Sequence, residues 1–530
     1  MDKGGSKTSH RKVIFSIILI FIMLAVTAFV CAFTLTPKRF SVSVGDEMPE
    51  TVRADVTIRD STTGEIIYDK GDVVISEGAT ITHYDMTILE SLDLIKEKAS
   101  DVALYIGISL ILIGACAVFV AFAMQSDKAV LINPRYMTIV ALSVIITMII
   151  SLGLKRLSVF IIPATLSVLL ISLLINRRTA YGLLIFSSIA VGLLAGEKGV
   201  VFNGTSTVMM VATLISGSIA IPLMRNKHNR GSLLVGGSIA AIVNGLCIVV
   251  CMLISMQSLE VILISGAYGL AGGILSTVLC VGTMPVWENI FDITTPSRLY
   301  ELTNANHPLL KQLMTEAPGT YHHSVMVALL AESAAQVIGA NSALARVGGY
   351  YHDVGKLRRP LYFRENQSQE NIHDTLSPSE SASIIIAHQA DSVAILKKAK
   401  LPGDVIKIAS EHHGNALMTY FYSKAKADDP SVTQRGFRYT GNRPSSAESA
   451  IVMLADCCEA AVRSLKTTDK SEIEAMVHKV ISSKYQDKDS MLMNSPLTLQ
   501  QISAIERAFL KTFNGILHDR VKYPEMDKQS

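Results

Sequence analysis

Eight long apolar runs constrain this chain more than any other feature. They lie at Val13–Phe33, Val102–Ala123, Tyr136–Leu152, Val159–Leu174, Tyr181–Ala195, Thr207–Leu223, Leu233–Ile254 and Val261–Val281. A bilayer core roughly 30 Å thick takes about 20 apolar residues per helical span. The runs therefore predict one anchor over 13–33 and a seven-span block over 101–284. Between Asp101 and Pro285 only 14 of 185 positions are charged, which excludes a wholly soluble protein. The first run follows a basic tail over 1–12, carrying Lys3, Lys7, Arg11 and Lys12. It exceeds the roughly 7–15 apolar residues of a signal peptide, and Thr34-Leu35-Thr36-Pro37-Lys38 is a poor cleavage site, so it reads as an uncleaved anchor.

Orientation follows from the cations. With the N-terminus inside, the inner turns hold Lys128 and Arg135, then Arg177 and Arg178, then Arg225, Lys227 and Arg230. The outer turns hold Lys155 and Arg156, then Lys198, then no Lys or Arg. This positive-inside bias, with Lys155–Arg156 dissenting, places everything after about Met284 in the cytoplasm: a linker over 285–303 and a domain over 304–530. The segment 34–100 is then outside. It reads as strands at Val52–Ile58, Glu65–Tyr68 and Gly71–Ile75 and a helix from Ile81 to Glu97, a small mixed unit of marginal size.

No run carries an ionisable residue near its centre, which argues against a proton-coupled transporter. Asn244 is the main polar intruder, suited to interhelical hydrogen bonding. A net charge of +3 and the lack of a cationic stripe exclude a strongly basic binder of DNA or RNA. The seven cysteines form neither a disulfide framework nor a zinc spacing.

The chemical signal lies in the last 230 or so residues, where ten of the thirteen histidines fall from His307 onward. Periodicity there is helical throughout. Residues 320–338 form an apolar-faced helix with His323 in its first turn. Ser377-Pro378-Ser379-Glu380 is a capping box that starts another helix, with His388 on its apolar face. Val405, Ile408, Ala409 and His412 share one face, and Asp456 ends a run of six apolar residues. The sharpest string is Tyr351-His352-Asp353-Val354-Gly355-Lys356. Adjacent imidazole and carboxylate suit Fe, Mn or Zn, and a metal would resolve the burial of Asp456. His322 points away from the face of His323, while His307, His373, His478 and His518 read as surface residues.

The HDVGK string, with a histidine 29 residues upstream and a later His, His-His and Asp, resembles the HD superfamily of metal-dependent phosphohydrolases. Gly319-Thr320-Tyr321-His322-His323-Ser324, Tyr350–Lys356, Glu365-Asn366-Gln367, Glu411-His412-His413-Gly414 and Met453-Leu454-Ala455-Asp456 are closer still to one branch. That branch is the membrane-bound seven-span HD proteins, bacterial cyclic di-AMP phosphodiesterases of the PgpH type. The resemblance implies an all-α protein: polytopic membrane helices, then an all-helical cytoplasmic HD domain, with the chain lodged in the bacterial cell membrane. It implies two divalent metal ions, Mn or Fe. One would be held by His323, His352, Asp353 and Asp456, the other by Asp353, His388, His412 and His413.

The implied reaction is hydrolysis of the cyclic dinucleotide to linear pApA, with a water activated by two metals attacking in line. Lys356, three residues after Asp353, would reach a phosphate oxygen or else serve as a C-terminal helix lysine complementing the dipole. Arg358, Arg359, Tyr362, Arg364 and Asn366 either line a dinucleotide groove or form an ordinary loop. Two departures matter. The family's outer domain is usually several times larger than 34–100, and His413 is followed by Gly414-Asn415-Ala416-Leu417 rather than the Gly-Tyr-Pro of the cyclic di-GMP branch. Two other readings stay open: a phosphohydrolase for another nucleotide, and a receptor that binds without turnover. The sequence also leaves the oligomeric state open, a homo-oligomer included.

Overall fold

Helices dominate because the apolar runs have no other way to satisfy their backbone groups in a lipid core. The computed structural model describes residues 4–516, apart from 37–38, 55–57, 60–65, 70, 93, 96–97, 199, 225–228, 368–370, 466–468 and 487–489. It divides into two compact units, Met1–Asn226 with Gly231–Pro285, and Lys227–Arg230 with Val286–Ser530.

In the first unit α1 (Gly4–Leu35) leads to a small outer layer. There β1 (Val52–Arg53) pairs antiparallel with β4 (Val73–Ile75), and β2 (Ile58–Arg59) with β3 (Ile66–Tyr68). Parts of the expected strands, residues 55–57 and Glu65, lie outside the described residues. Helix α2 (His83–Ser91) starts on a capping box made by Thr82 and Asp85. It is shorter than the expected Ile81–Glu97. The Phe40 N–H donates to the Leu94 carbonyl and Phe40 bridges Ile95, so those residues serve the layer's core rather than a helix.

Then come α3 (Lys98–Ser126), α4 (Lys128–Ile132), α5 (Pro134–Leu154), α6 (Leu166–Leu174), α7 (Arg177–Ala195), α8 (Gly204–Leu223), α9 (Arg230–Ile254) and α10 (Leu259–Ile290). Among the described residues seven helices are long and apolar enough to cross a membrane: α1, α3, α5, α7, α8, α9 and α10. The eighth expected run, Val159–Leu174, is not one of them. Pro163 interrupts it, leaving a 3-10 turn at Val159–Ile161 and only nine residues of α-helix. Its backbone is nonetheless sheltered, since Leu166–Ile171 and Leu174 are buried by neighbouring helices.

The broken run still passes from one face of the block to the other. The Asn176 amide donates to the Asp127 carboxylate at 2.5 Å, which puts the end of the run level with the end of α3 and the start of α5. The Lys155 ammonium donates to the Gly196 carbonyl at 2.7 Å, which puts the end of α5 level with the end of α7. Residues 156–175 therefore return across the thickness that α5 and α7 each span. Asn244 bonds the Gly269 carbonyl at 2.8 Å and Ser216 at 3.2 Å, tying α9 to α10 and α8. Arg225 and Lys227 lie outside the described residues.

The stretch 285–303, expected as a linker, is largely helical. Helix α10 runs through Pro285 to Ile290, and α11 (Pro296–Leu302) buries Leu299 and Leu302 in the core of the second unit. That unit continues as α12 (Pro308–Glu316), α13 (Pro318–Ile338), α14 (Ser342–Tyr351), α15 (Pro378–Lys398), α16 (Gly403–Glu411), α17 (Thr419–Asp428), α18 (Ala447–Ser464), α19 (Lys470–Tyr485) and α20 (Leu499–Ile516). Helix α13 is central, packed by α14, α18 and α20. Short 3-10 turns join α14 to α15, and α15 begins at the predicted Ser377–Glu380 capping box.

Candidate metal centre

Five segments of the second unit converge on one buried point. Helix α13 contributes His323, α15 contributes His388, and α18 contributes Asp456. His352 and Asp353 sit where α14 gives way to the 3-10 turn Val354–Arg358, and His412 and His413 follow the last residue of α16. Gly355 allows this convergence: a Cβ there would stand 2.0 Å from the His388 carbonyl oxygen and 2.5 Å from the Ser392 nitrogen. Its own N–H donates to the Ser392 hydroxyl at 2.8 Å, clamping the turn against α15.

All seven residues singled out in the sequence come together, in two adjoining groups. Asp353, His388, His412 and His413 form one and His323, His352 and Asp456 the other, with the ligand atoms of each within 4.8 Å of one another. Asp353 links them: its Oδ1 lies 3.2 Å from His388 Nε2 and 3.6 Å from His412 Nε2, and its Oδ2 lies 3.2 Å from His352 Nε2 and 3.6 Å from His323 Nε2. Asp456 approaches His323 at 3.1 Å and His413 at 3.6 Å.

The tautomers follow from the backbone. Nδ1 of His352 donates to the Gly349 carbonyl at 2.8 Å, that of His388 to Ile385 at 2.5 Å, and that of His412 to Ala409 at 2.7 Å. Each ring then turns a bare Nε2 lone pair inward. Nε2 of His388 and His412 face each other at 3.3 Å, and His352 Nε2 and Asp353 Oδ1 are buried without a hydrogen-bond partner. Lone pairs of several buried rings gathered face to face call for cations. The donor set, imidazole and carboxylate without thiolate, fits divalent first-row metals.

Charge is arranged accordingly. Burial alone would raise the Asp353 carboxyl, but His352 and Lys356 hold it well below the usual range. Burial also opposes ionisation of Asp456, and its hydrogen bond with His323 overcomes that. His412 and His413 are pushed down by burial, so they stay neutral. His323 is the exception. Burial works against its charge, yet the hydrogen bonds it donates to Asp456 and Glu459 raise it to about 9.

The contacts of several neighbouring residues escaped the sequence. Glu459, one helical turn after Asp456, hydrogen-bonds Nδ1 of His323 and orients that ring. Glu365 pairs with Lys356 at 2.6 Å, and Lys356 pairs with Asp353 at 2.8 Å. Lys356 thus sits between two carboxylates, in the last turn of the 3-10 segment. The spacing of three places it over Asp353 because residues i and i+3 eclipse in a 3-10 turn. The ring of Tyr439 lies over His413 with centroids 4.3 Å apart. His322 is exposed, as expected. His373, expected at the surface, is instead buried, bonded through Nε2 to the Tyr362 carbonyl at 2.7 Å. His307 is half-buried with its ring edge against Tyr351, His478 is exposed and bonded to Glu506, and His518 lies outside the described residues.

Comparison with known proteins agrees with this architecture. Residues 102–295 match the family model described as 7TM receptor with intracellular HD hydrolase, and residues 320–461 match the HD domain. The cyclic-di-AMP phosphodiesterase PgpH of Listeria monocytogenes is 34% identical over 86% of this chain and 64% of its own length. The cyclic-di-AMP phosphodiesterase PgpH of Bacillus subtilis is 41% identical over 70% of this chain and 52% of its own. The chain thus spans less than two thirds of either curated relative. A crystal structure of the L. monocytogenes phosphodiesterase PgpH HD domain in complex with cyclic-di-AMP is 45% identical, covering 41% of this chain and 100% of that one, with a TM-score of 0.39. The chain thus joins a membrane block that matches the first family model to an HD domain that matches the second, and curated relatives at 34% and 41% identity align across both.

Proposed function

We propose that this chain is a metal-dependent phosphodiesterase that hydrolyses cyclic di-AMP to linear pApA on the cytoplasmic side of a bacterial membrane. The observation that carries the reading is the pair of ligand groups joined at Asp353, each rich in inward-facing imidazole. Two curated relatives named as cyclic-di-AMP phosphodiesterases support the substrate. His323, His352, Asp353 and Asp456 would hold one ion and Asp353, His388, His412 and His413 the second; the imidazole and carboxylate donors admit Fe, Mn or Zn, and the family resemblance favours Mn or Fe. When bound, such ions activate water and neutralise phosphate charge in an in-line displacement.

The chain's own residues do the rest. Asp353 spans both groups and stays ionised because Lys356 and the histidines stabilise its charge. Glu459 fixes the ring of His323, and backbone carbonyls fix those of His352, His388 and His412. Glu365 holds Lys356 in place, and through it the Asp353 carboxylate.

The test is direct. Detergent-solubilised full-length chain with Mn²⁺ is incubated with cyclic di-AMP and with a panel of other nucleotides, and products are resolved by chromatography. Conversion of cyclic di-AMP to pApA, lost by at least about a thousandfold in Asp353→Ala with helical circular dichroism retained, is the expected result. Turnover of only another nucleotide would replace the substrate, and binding without any turnover would make the domain a receptor.

A further inference from the structure

We propose that Arg298 is a positioning residue for the second ligand group: it ties the end of α10 to the turn before α16, and α16 carries that placement to His412 and His413. The inference rests on the reading of Asp353, His388, His412 and His413 as a metal site, and assigns the residues that set its far side.

Helix α16 starts without a cap of its own. Pro402 stands at its N-cap position, and no side chain there accepts from the first turn. The cap comes instead from the residues that follow α10. Asp292 accepts from the Gly403 N–H at 3.0 Å, and the Thr294 hydroxyl donates to Asp404 at 2.7 Å. The approach is close: a Cβ on Gly403 would stand 2.4 Å from Asp292 Oδ2. Asp292 and Lys400, on the two sides of this junction, both take left-handed backbone, with φ of 43° and 57°. Lys400 does so just past the end of α15, where glycine is the usual occupant. Such conformations persist only where surrounding contacts hold them.

Arg298 supplies the hold. From α11 its guanidinium donates to the carbonyls of Glu288 and Ile293 at 3.2 and 3.3 Å and to the Asn289 side-chain oxygen at 3.3 Å. It also donates to the Lys400 carbonyl at 2.9 Å. The first three acceptors belong to the end of α10 and the turn after it, the last to the turn before α16. One planar fork thus fixes the separation of the two turns, which the point charge of a lysine does not reproduce. Helix α16 is short and packed along its length. Val405, Ile408 and Ala409 are buried, and a Cβ on Gly348 of α14 would meet Ile408 at 2.7 Å. The helix ends at Glu411, directly before His412 and His413 and about 13 Å along its axis from Gly403. No loop lies between the clamp and the two imidazoles to absorb a shift. His323, His352 and Asp456 are carried by α13, α14 and α18 instead.

The experiment titrates Mn²⁺ into metal-free, detergent-solubilised full-length chain in a dye competition assay, for the native chain, Arg298→Ala and Arg298→Lys. The binding step that His412→Ala abolishes is that of the second group. Both Arg298 variants are expected to weaken this step, the alanine roughly tenfold, and to leave the other step within about twofold. Loss of charge does not explain such a result, because removing a distant cation favours Mn²⁺ at both steps. General loosening of the domain would weaken the two steps together. Equal weakening of both, no change in either, or native affinity in Arg298→Lys overturns the positioning role and leaves the two-ion centre standing. If Arg298→Ala does not fold, Thr294→Val, which removes the bond to Asp404, is judged by the same selectivity, with an expected loss of about threefold. A native chain with fewer than two binding steps would remove the metal-centre reading and this inference with it.

Discussion

At the scale of single residues, the centre is a set of imidazoles whose protons have been sent outward. His323 departs from that pattern: its outer partner is the carboxylate of Glu459, and its inner one is Asp456, so its pKa rises to about 9. In metal-free protein at pH 7 this ring is therefore protonated, and a metal must displace the proton. Apparent metal affinity is expected to strengthen up to tenfold per pH unit as pH rises toward about 9, and to level above it. Calorimetric titration of Mn²⁺ in buffers of differing ionisation enthalpy measures the release of about one proton at pH 7; none released would contradict the assignment. Glu459→Gln removes the charge that fixes this ring and is expected to weaken metal binding about 10–100-fold in a dye competition assay. The seven convergent residues were legible because imidazoles and carboxylates on apolar faces are anomalous in a sequence. Glu459 was not, since an acid on a helix looks ordinary until tertiary packing sets it beside His323; Glu365 stood out in the Glu365-Asn366-Gln367 string, but its pairing with Lys356 needed the fold.

At the scale of elements, the centre depends on how closely α15 approaches the turn after α14. Gly355 is the point of contact, with no room for a Cβ between it and the His388 carbonyl. Gly355→Ala is expected to push α15 away, destabilise the domain by about 1–3 kcal/mol and draw His388 off the site. Thermal unfolding and metal stoichiometry of the purified chain check both effects; native stability with full metal content would refute the clamp. Start signals that act locally were readable, as with the Ser377–Glu380 capping box that opens α15. Stop signals set by long-range contact were not. Helix α2 ends at Ser91 because Leu94 and Ile95 are taken by Phe40, and nothing near Ser91 in the sequence announces this. The lysine at position 356 likewise fell on the expected side of Asp353, but its engagement by Glu365 needed the fold.

At the scale of the whole molecule, sidedness turns on residues 156–175. Seven long helices alone would leave the two ends of the membrane block on opposite sides; an eighth crossing returns them to the same side. The Asn176–Asp127 and Lys155–Gly196 bonds make the broken run that eighth crossing, although Pro163 leaves it only nine residues of α-helix. Such a run is tolerated because the break at Ile162–Thr165 and the short helix after it are buried within the protein. Hydropathy alone could find the run but not its break, since apolarity does not distinguish a continuous helix from one divided at a proline. With the basic tail inside, Lys128 and Arg178 are expected on the cytoplasmic face and Arg156 and Lys198 on the outer face. Cysteines placed singly at these four positions of the full chain in intact cells supply the check. A membrane-impermeant maleimide is expected to label positions 156 and 198 from outside, and positions 128 and 178 only after lysis. Outside labelling of both 156 and 178 would mean that the run turns back without crossing, and the HD domain would then face away from the cytoplasm and its nucleotides.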